Sequence, residues 1–77
     1  MPRICYYVCR DVPAGSHTSY KPGRTLVSHA DRREDADRMA EVYNTNRAIT
    51  TFAYVVVPFP EDENFPCDHY GPGGVVA

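Results

Sequence analysis

Three cysteines and one histidine are the side chains best suited to hold a metal ion. Cys5, Cys9, Cys67 and His69 would supply four soft ligands, the number that a structural zinc site requires. The segment around Cys5 and Cys9 predicts a strand, in which the two residues lie about 13 Å apart at ~3.3 Å per residue. A tetrahedral zinc site holds its sulfurs about 4 Å from one another. The spacing therefore predicts no metal, no cofactor, and cysteines that are buried as small hydrophobic residues.

Cys67 and His69 also have the residue types of a nucleophile and its base. They lie in a segment rich in proline and glycine, which offers no rigid element and no third group to orient the imidazole. The GPGG run at residues 71–74 lacks the lysine, the Ser/Thr and the following helix of a phosphate-binding loop. The sequence therefore predicts a protein without catalytic residues, which is not an enzyme.

Charge is distributed unevenly along the 77 residues, whose formal net charge is −2. Residues 1–30 hold four cations against one anion, a net +3, whereas residues 61–68 carry a net −4. The acidic tail, together with acidic residues on the predicted helix, predicts contact with a basic partner protein. The acidic candidates for that contact are Glu61, Asp62, Glu63, Asp68, Asp37 and Glu41.

A second interpretation is a nucleic-acid-binding or regulatory module. It depends on four cations that lie near tyrosines in the sequence, since aromatic residues on a sheet with basic flanks bind RNA in several modules. The cations are Arg3, Arg10, Lys21 and Arg24. The acidic net charge of the chain argues against this alternative.

Three segments predict strands. Residues 3–9, 24–28 and 50–57 are rich in apolar and β-branched side chains, and Pro58 and Pro60 are expected to end the last strand. Residues 10–23 contain proline, glycine and serine and predict a long loop.

One apolar stripe predicts a helix that begins at Asp31. Four residues form it at helical spacing: Ala36, Met39, Ala40 and Tyr43. The order strand, strand, helix, strand predicts an α+β fold, a three-stranded sheet with the helix on one face. This domain spans residues 1–60, and an irregular tail, acidic and then rich in glycine and proline, spans residues 61–77. Whether the last strand runs parallel or antiparallel to its neighbour stays open.

Both faces of the predicted sheet are apolar. Tyr6 and Tyr7 alternate between the faces of the first strand, as Tyr54 and Val55 do in the last. One helix covers one face, so the other needs the tail, a second copy of the chain, or a different partner protein. Tyr6 and Tyr54 are the candidate partner-contact residues on the sheet. The tail offers the apolar side chains Phe59, Phe65, Tyr70, Val75 and Val76.

The chain resembles many short phage and mobile-element proteins in the tract SHADRREDADRMAEVYN and, after a short gap, TTFAYVVVP. This resemblance covers residues 26–58. Very short acidic α/β proteins of that type resemble the anti-CRISPR inhibitors. The resemblance implies an inhibitor that binds a nucleoprotein or nuclease complex and places carboxylates where nucleic-acid phosphates would lie.

The cysteine count and the hydropathy pattern predict the compartment. Three cysteines are an odd number, which is unusual for a small secreted protein with a disulfide framework. No run of about 18 apolar residues predicts a membrane span, and no signal peptide is recognisable. We therefore expect a cytoplasmic protein that does not contact a membrane.

Overall fold

The computed structural model describes residues 3–15, 20–46 and 52–70. The α+β class is confirmed, with a helix packed on one face of a mixed sheet. The described elements are β1 (Ile4–Val12), β2 (Gly23–Ala30), α1 (Arg33–Asn46), β3 (Ala53–Pro60) and β4 (His69–Tyr70). The predicted count of three strands is wrong, because the tail adds β4 and gives a four-stranded sheet of order β3-β1-β2-β4.

β1 is a central strand. It pairs antiparallel with β2 on one side and with β3 on the other, so Tyr7 lies between His29 and Val57. This settles the direction of the last predicted strand as antiparallel. The register with β2 shifts between Val8 and Cys9, a β-bulge. β4 runs parallel to β2 at the opposite edge of the sheet from β3.

β1 is longer than predicted because Arg10 behaves as an interior residue. Its guanidinium lies 3.8 Å from the ring centroid of Tyr20, and the residue is buried. An arginine can bury its aliphatic stem and stack its planar head on an aromatic ring. The strand therefore continues through Val12, and the predicted loop from residue 10 is wrong at its start. Residues 16–19 of that loop lie outside the described residues.

β3 does not end at Pro58, as predicted, but continues through Pro60. The N–H of Glu61 donates to the carbonyl O of Arg3 at 2.9 Å, so odd-numbered residues turn their N–H groups towards β1. Pro58 and Pro60 therefore occupy positions that face the outer edge, where a strand needs no donor. The predicted start of this strand at residues 50 and 51 lies outside the described residues.

The side chain of Asn44 covers the outer edge of β3 near its start. The N–H of Tyr54 donates to Asn44 Oδ1 at 2.9 Å, and Asn44 Nδ2 donates to the carbonyl O of Tyr54 at 3.1 Å. One amide thus takes the place that a neighbouring strand would occupy. Together with the outward prolines, it protects this edge from pairing with another chain.

The core between α1 and the sheet is built on small helix residues. Val8, Ala36 and Ala40 are buried together, as the predicted stripe requires, and Tyr43 stacks on Tyr54 with ring centroids 4.9 Å apart. Alanine at these positions lets the helix axis approach the sheet closely. Within the described ranges, no helix has the length and apolar character needed to cross a membrane.

Candidate functional site

Residues 61–70, here called the strap, cross the sheet face opposite α1. Phe65 stacks on Tyr7 with ring centroids 4.4 Å apart and meets Phe59 edge-on at 5.5 Å. Phe65 is only 4 % exposed. Three candidates could cover the second sheet face: the tail, a second copy of the chain, or a different partner protein. In the structure the tail covers it, through Phe65. Val75 and Val76, also expected to help, lie outside the described residues.

Backbone and side-chain hydrogen bonds fasten the far end of the strap to β2. The N–H of Asp68 donates to the carbonyl O of Arg24 at 3.0 Å, and the N–H of Arg24 donates to Asp68 Oδ2 at 2.9 Å. The hydroxyl of Tyr70 donates to the carbonyl O of Phe65 at 2.8 Å, which closes the strap on itself. The strap is therefore held both by apolar stacking and by directed polar contacts.

Gly23 is required where the strap meets β2. Its φ is +111°, a conformation that residues with a Cβ rarely adopt. A Cβ at this position would lie 2.5 Å from Asp68 Oδ2. The absence of a side chain at residue 23 therefore makes room for the carboxylate that anchors the strap.

The first three residues of the strap form the turn that follows β3, and they carry three consecutive carboxylates. Glu61, Asp62 and Glu63 are all exposed. The turn is held by the bond from Glu61 N–H to Arg3 and by the N–H of Glu63, which donates to the carbonyl O of Pro60 at 3.3 Å. Among the described residues, none of the three carboxylates forms an ion pair. The turn is therefore a patch of negative charge on a defined backbone, without an ion pair among the described residues.

The first turn of α1 lies at the same end of the sheet as this acidic turn. This is the end at which β1 begins. β3 ends there, because Pro60 pairs with Ile4, and β2 leads into α1 there, because Ala30 pairs with Tyr6. Asp35 in that first turn adds a further carboxylate, whereas Glu34 forms an ion pair with Arg32 at 3.5 Å. The acidic end is therefore defined as these four residues: Asp35, Glu61, Asp62 and Glu63.

The other acidic candidates lie elsewhere. Asp37 pairs with Arg33 on α1 at 3.8 Å, and Glu41 is exposed further along the helix. Asp68 lies at the opposite end of the sheet, where its carboxylate accepts the N–H of Arg24. The structure thus gathers Glu61, Asp62 and Glu63 but not the remaining three.

Tyr6 and Tyr54 lie on the sheet face that α1 covers. Both are partly buried and pack against the core formed by Val8, Ala36 and Ala40. They therefore lie on the opposite face of the sheet from the strap. Their packing against this core accounts for the aromatic residues at these positions of β1 and β3.

The four cations of the nucleic-acid interpretation are not on one surface. Arg3 forms an ion pair with Asp31 at 3.7 Å at the acidic end, while Arg10 is buried in the sheet. Arg24 lies opposite Asp11 in the β1–β2 ladder, near the other end of β1, and is close in sequence to Lys21. The structure therefore offers no continuous basic path built from these residues.

The sulfur and imidazole groups have separate partners. Cys5 Sγ lies 3.8 Å from His29 Nδ1, whereas Cys67 Sγ donates to the carbonyl O of His69 at 2.9 Å. The ring Nε2 of His69 lies 3.3 Å from the carbonyl O of Pro22. Over residues 3–15, 20–46 and 52–70, no group of three or more metal-ligating side chains is positioned around a common point.

An open pocket of about 460 Å³ lies where the end of the strap meets the sheet. Its lining residues are Asp11, Gly23, Arg24, Pro66, Cys67 and Asp68. Cys9 is completely buried beside them, and this burial raises the pKa of its thiol to about 11, although the charge of Arg24 opposes the shift. The position of Cys67 in the lining of this pocket could not be predicted from the sequence, because it depends on the tertiary packing of the strap against the sheet.

Comparison with known protein families, with curated proteins and with solved structures finds no match for this chain. Function must therefore be inferred from the charges, contacts and burial described above.

Proposed function

We propose that this protein is a non-catalytic protein-binding module that presents its acidic end to a basic surface of its partner. The observation that carries the proposal is the exposed turn of Glu61, Asp62 and Glu63, which has no ion pair among the described residues. Three like charges in succession repel one another, so this arrangement does not serve stability. Their common purpose is to attract positive charge and to accelerate association with a basic surface.

The turn supports this role because its backbone is held before a partner arrives. The bond from Glu61 to Arg3 fixes its start, and Phe65, packed on Tyr7, fixes the chain that follows. A preorganised segment loses little conformational entropy on binding. Binding energy is therefore retained rather than used to order the turn.

We infer the class of target from the chemistry of the acidic end and from the resemblance of residues 26–58 to short phage and mobile-element proteins, a type that resembles the anti-CRISPR inhibitors. A surface that binds nucleic-acid phosphates is basic, and carboxylates at a similar spacing compete for the same cations. The proposed action is therefore inhibition of a nucleoprotein or nuclease complex by occlusion of its nucleic-acid-binding surface.

The test compares three forms of the full chain. The variant Glu61→Gln/Asp62→Asn/Glu63→Gln removes the charge of the turn but keeps its shape, and Asp11→Asn removes an exposed charge near the other end of β1 as the control. Each tagged form captures proteins from host lysate, and a protein retained by the wild type is then purified for kinetic measurements. We expect a basic nucleic-acid-binding protein that the wild type and the control retain, with an association rate roughly tenfold lower for the triple variant at low salt.

Two results would contradict the proposal. The first is a partner that binds the triple variant as fast as the wild type with the same salt dependence, and the second is no specific partner for the wild type. If the partner is bound but still binds nucleic acid equally well, the occlusion step is wrong although the binding step holds.

A further inference from the structure

We propose that Cys9 and Cys67 form a reversible disulfide that locks the strap onto the sheet. All three described cysteines are thiols in the structure, so the proposal concerns a second, oxidised state of the same fold. It is independent of the partner-binding role proposed for the acidic end.

The path of the strap carries Cys67 across the sheet face on which Cys9 lies. Phe65 lies on Tyr7, and Asp68 is bonded to Arg24, which pairs with Asp11. Tyr7, Cys9 and Asp11 alternate onto the same face of β1. Asp68 docks on the edge of β2 that carries β4, so the strap runs obliquely from Tyr7 across β2 and carries Cys67 across the same sheet face as Cys9.

The surroundings of the two thiols agree with this placement. Cys67 lines the pocket together with Asp11 and Arg24, and the charged or ionisable groups that act on the Cys9 thiol are Arg24, Cys67 and Asp11. Three residues of the pocket lining therefore act electrostatically on the Cys9 thiol, and Cys67 is one of them although it is far from Cys9 in the sequence.

The two thiols differ in access, which sets the order of reaction. Cys67 is partly exposed at the open pocket, whereas Cys9 is completely buried and its pKa is about 11. A small disulfide from solution therefore reaches Cys67 first. Cys9 is protected from solvent oxidants and reacts only with a sulfur that the strap itself carries.

The oxidant is a low-molecular-weight disulfide such as oxidised glutathione. The Cys67 thiolate attacks one of its sulfurs, breaks the S–S bond and releases one glutathione thiol, which leaves a mixed disulfide on Cys67. The Cys9 thiolate then attacks the Cys67 sulfur and releases the second glutathione thiol. Two electrons and two protons pass from the protein to glutathione, and each glutathione molecule leaves as a thiol.

Cys5 is the matched control because it lies on the same face of β1 but away from the strap's end. Its thiol is held between His29 and the carbonyl O of Ala30, at 3.8 Å and 3.5 Å. Cys9 is four residues further along the strand, about 13 Å away at ~3.3 Å per residue. A disulfide forms only when the two Cα atoms are within about 7 Å, so Cys5 and Cys9 cannot pair in the folded protein.

The experiment treats the full-length native protein with oxidised glutathione and follows its mass under non-reducing conditions. Digestion after Tyr7 separates Cys5 from Cys9, so the linked peptides identify the bond. We expect an intramolecular bond between Cys9 and Cys67 in the wild type and in Cys5→Ser. The closure step should accelerate about tenfold per pH unit near neutral pH, because the thiolate fraction of Cys9 rises in that proportion.

The variants separate the two steps. Cys9→Ala should stop at the glutathione adduct of Cys67, and Cys67→Ser should take up no glutathione at residue 9. The closed form should melt about 10 °C higher than the reduced form, since the bond closes a long loop. A wild-type protein that stops at the adduct, links Cys5, or forms only bonds between chains would overturn the proposal. The wild-type digest decides this even if Cys9→Ala does not fold.

Discussion

Replacing Gly23 by alanine should destabilise the protein by about 2–4 kcal/mol. The backbone contributes one part, because the φ of +111° at this residue is unfavourable for a residue with a Cβ. Such strain costs of order 1–3 kcal/mol. The new Cβ would also lie 2.5 Å from Asp68 Oδ2, so the carboxylate must move and its hydrogen bond from the Arg24 N–H is lost. That bond is exposed, and we assign it about 1 kcal/mol.

A double-mutant cycle separates the two parts. In an Asp68→Ala background the carboxylate is absent, and Gly23→Ala should then cost about 1 kcal/mol less than in the wild type. Gly15→Ala is the matched control, since Gly15 also has a positive φ, +83°, but has nothing within 4 Å of the position of a new Cβ. It should show backbone strain alone, with no coupling to residue 68.

Urea denaturation followed by circular dichroism measures all four free energies of unfolding of the cycle. For a chain of this size, a loss of 2–4 kcal/mol corresponds to a decrease in melting temperature of roughly 10–25 °C. A Gly23→Ala cost that is equal in both backgrounds would refute the contact with Asp68. A cost no greater than that of Gly15→Ala would refute the requirement for glycine at the strap anchor.

Two further predictions concern Asn44 and Cys9. Asn44→Ala removes both hydrogen bonds to Tyr54 and should cost about 1–2 kcal/mol. It should also promote self-association measured by sedimentation, whereas Asn44→Asp keeps one acceptor and should be milder. Burial raises the pKa of Cys9 from 9.0 to about 11, so the folded state holds this proton more tightly than the unfolded state. The thiol's contribution to stability is therefore complete below pH 9.0 and is lost as the pH rises to about 11. Cys9→Ala should remove that loss from unfolding curves measured against pH, and an unchanged slope would contradict the burial of the thiol.

The elements with regular hydrophobic spacing could be predicted from the sequence. Ala36 and Ala40 recur at helical spacing and are the helix residues buried on the sheet. The central strand could be located because it is apolar on both faces. The end of this strand could not be predicted, because Arg10 and Asp11 have the composition of a loop. Only the contact with Tyr20 shows that Arg10 is an interior residue.

The predicted end of β3, before Pro58, is wrong for a different reason. Proline ends a strand only where its missing N–H would face a neighbour, and the sequence does not show which side of Pro58 faces β1. The two-residue β4 and the position of Phe65 also depend on tertiary contacts, because neither has a periodic pattern of its own. The acidic turn was recognisable from composition, but its separation from Asp68 was not, since the strap carries Asp68 to the opposite end of the sheet.

The strand order has a consequence for the time course of folding. β3 and β4 lie at opposite edges of the sheet, and the strap between them follows in sequence every element on which it docks. During synthesis, the face that carries Cys5, Tyr7 and Cys9 therefore remains exposed until residues 61–70 have left the ribosome. Transiently exposed apolar sheet surface promotes aggregation. Docking of the strap is thus the step that covers this face, and its speed determines how long the nascent chain exposes it.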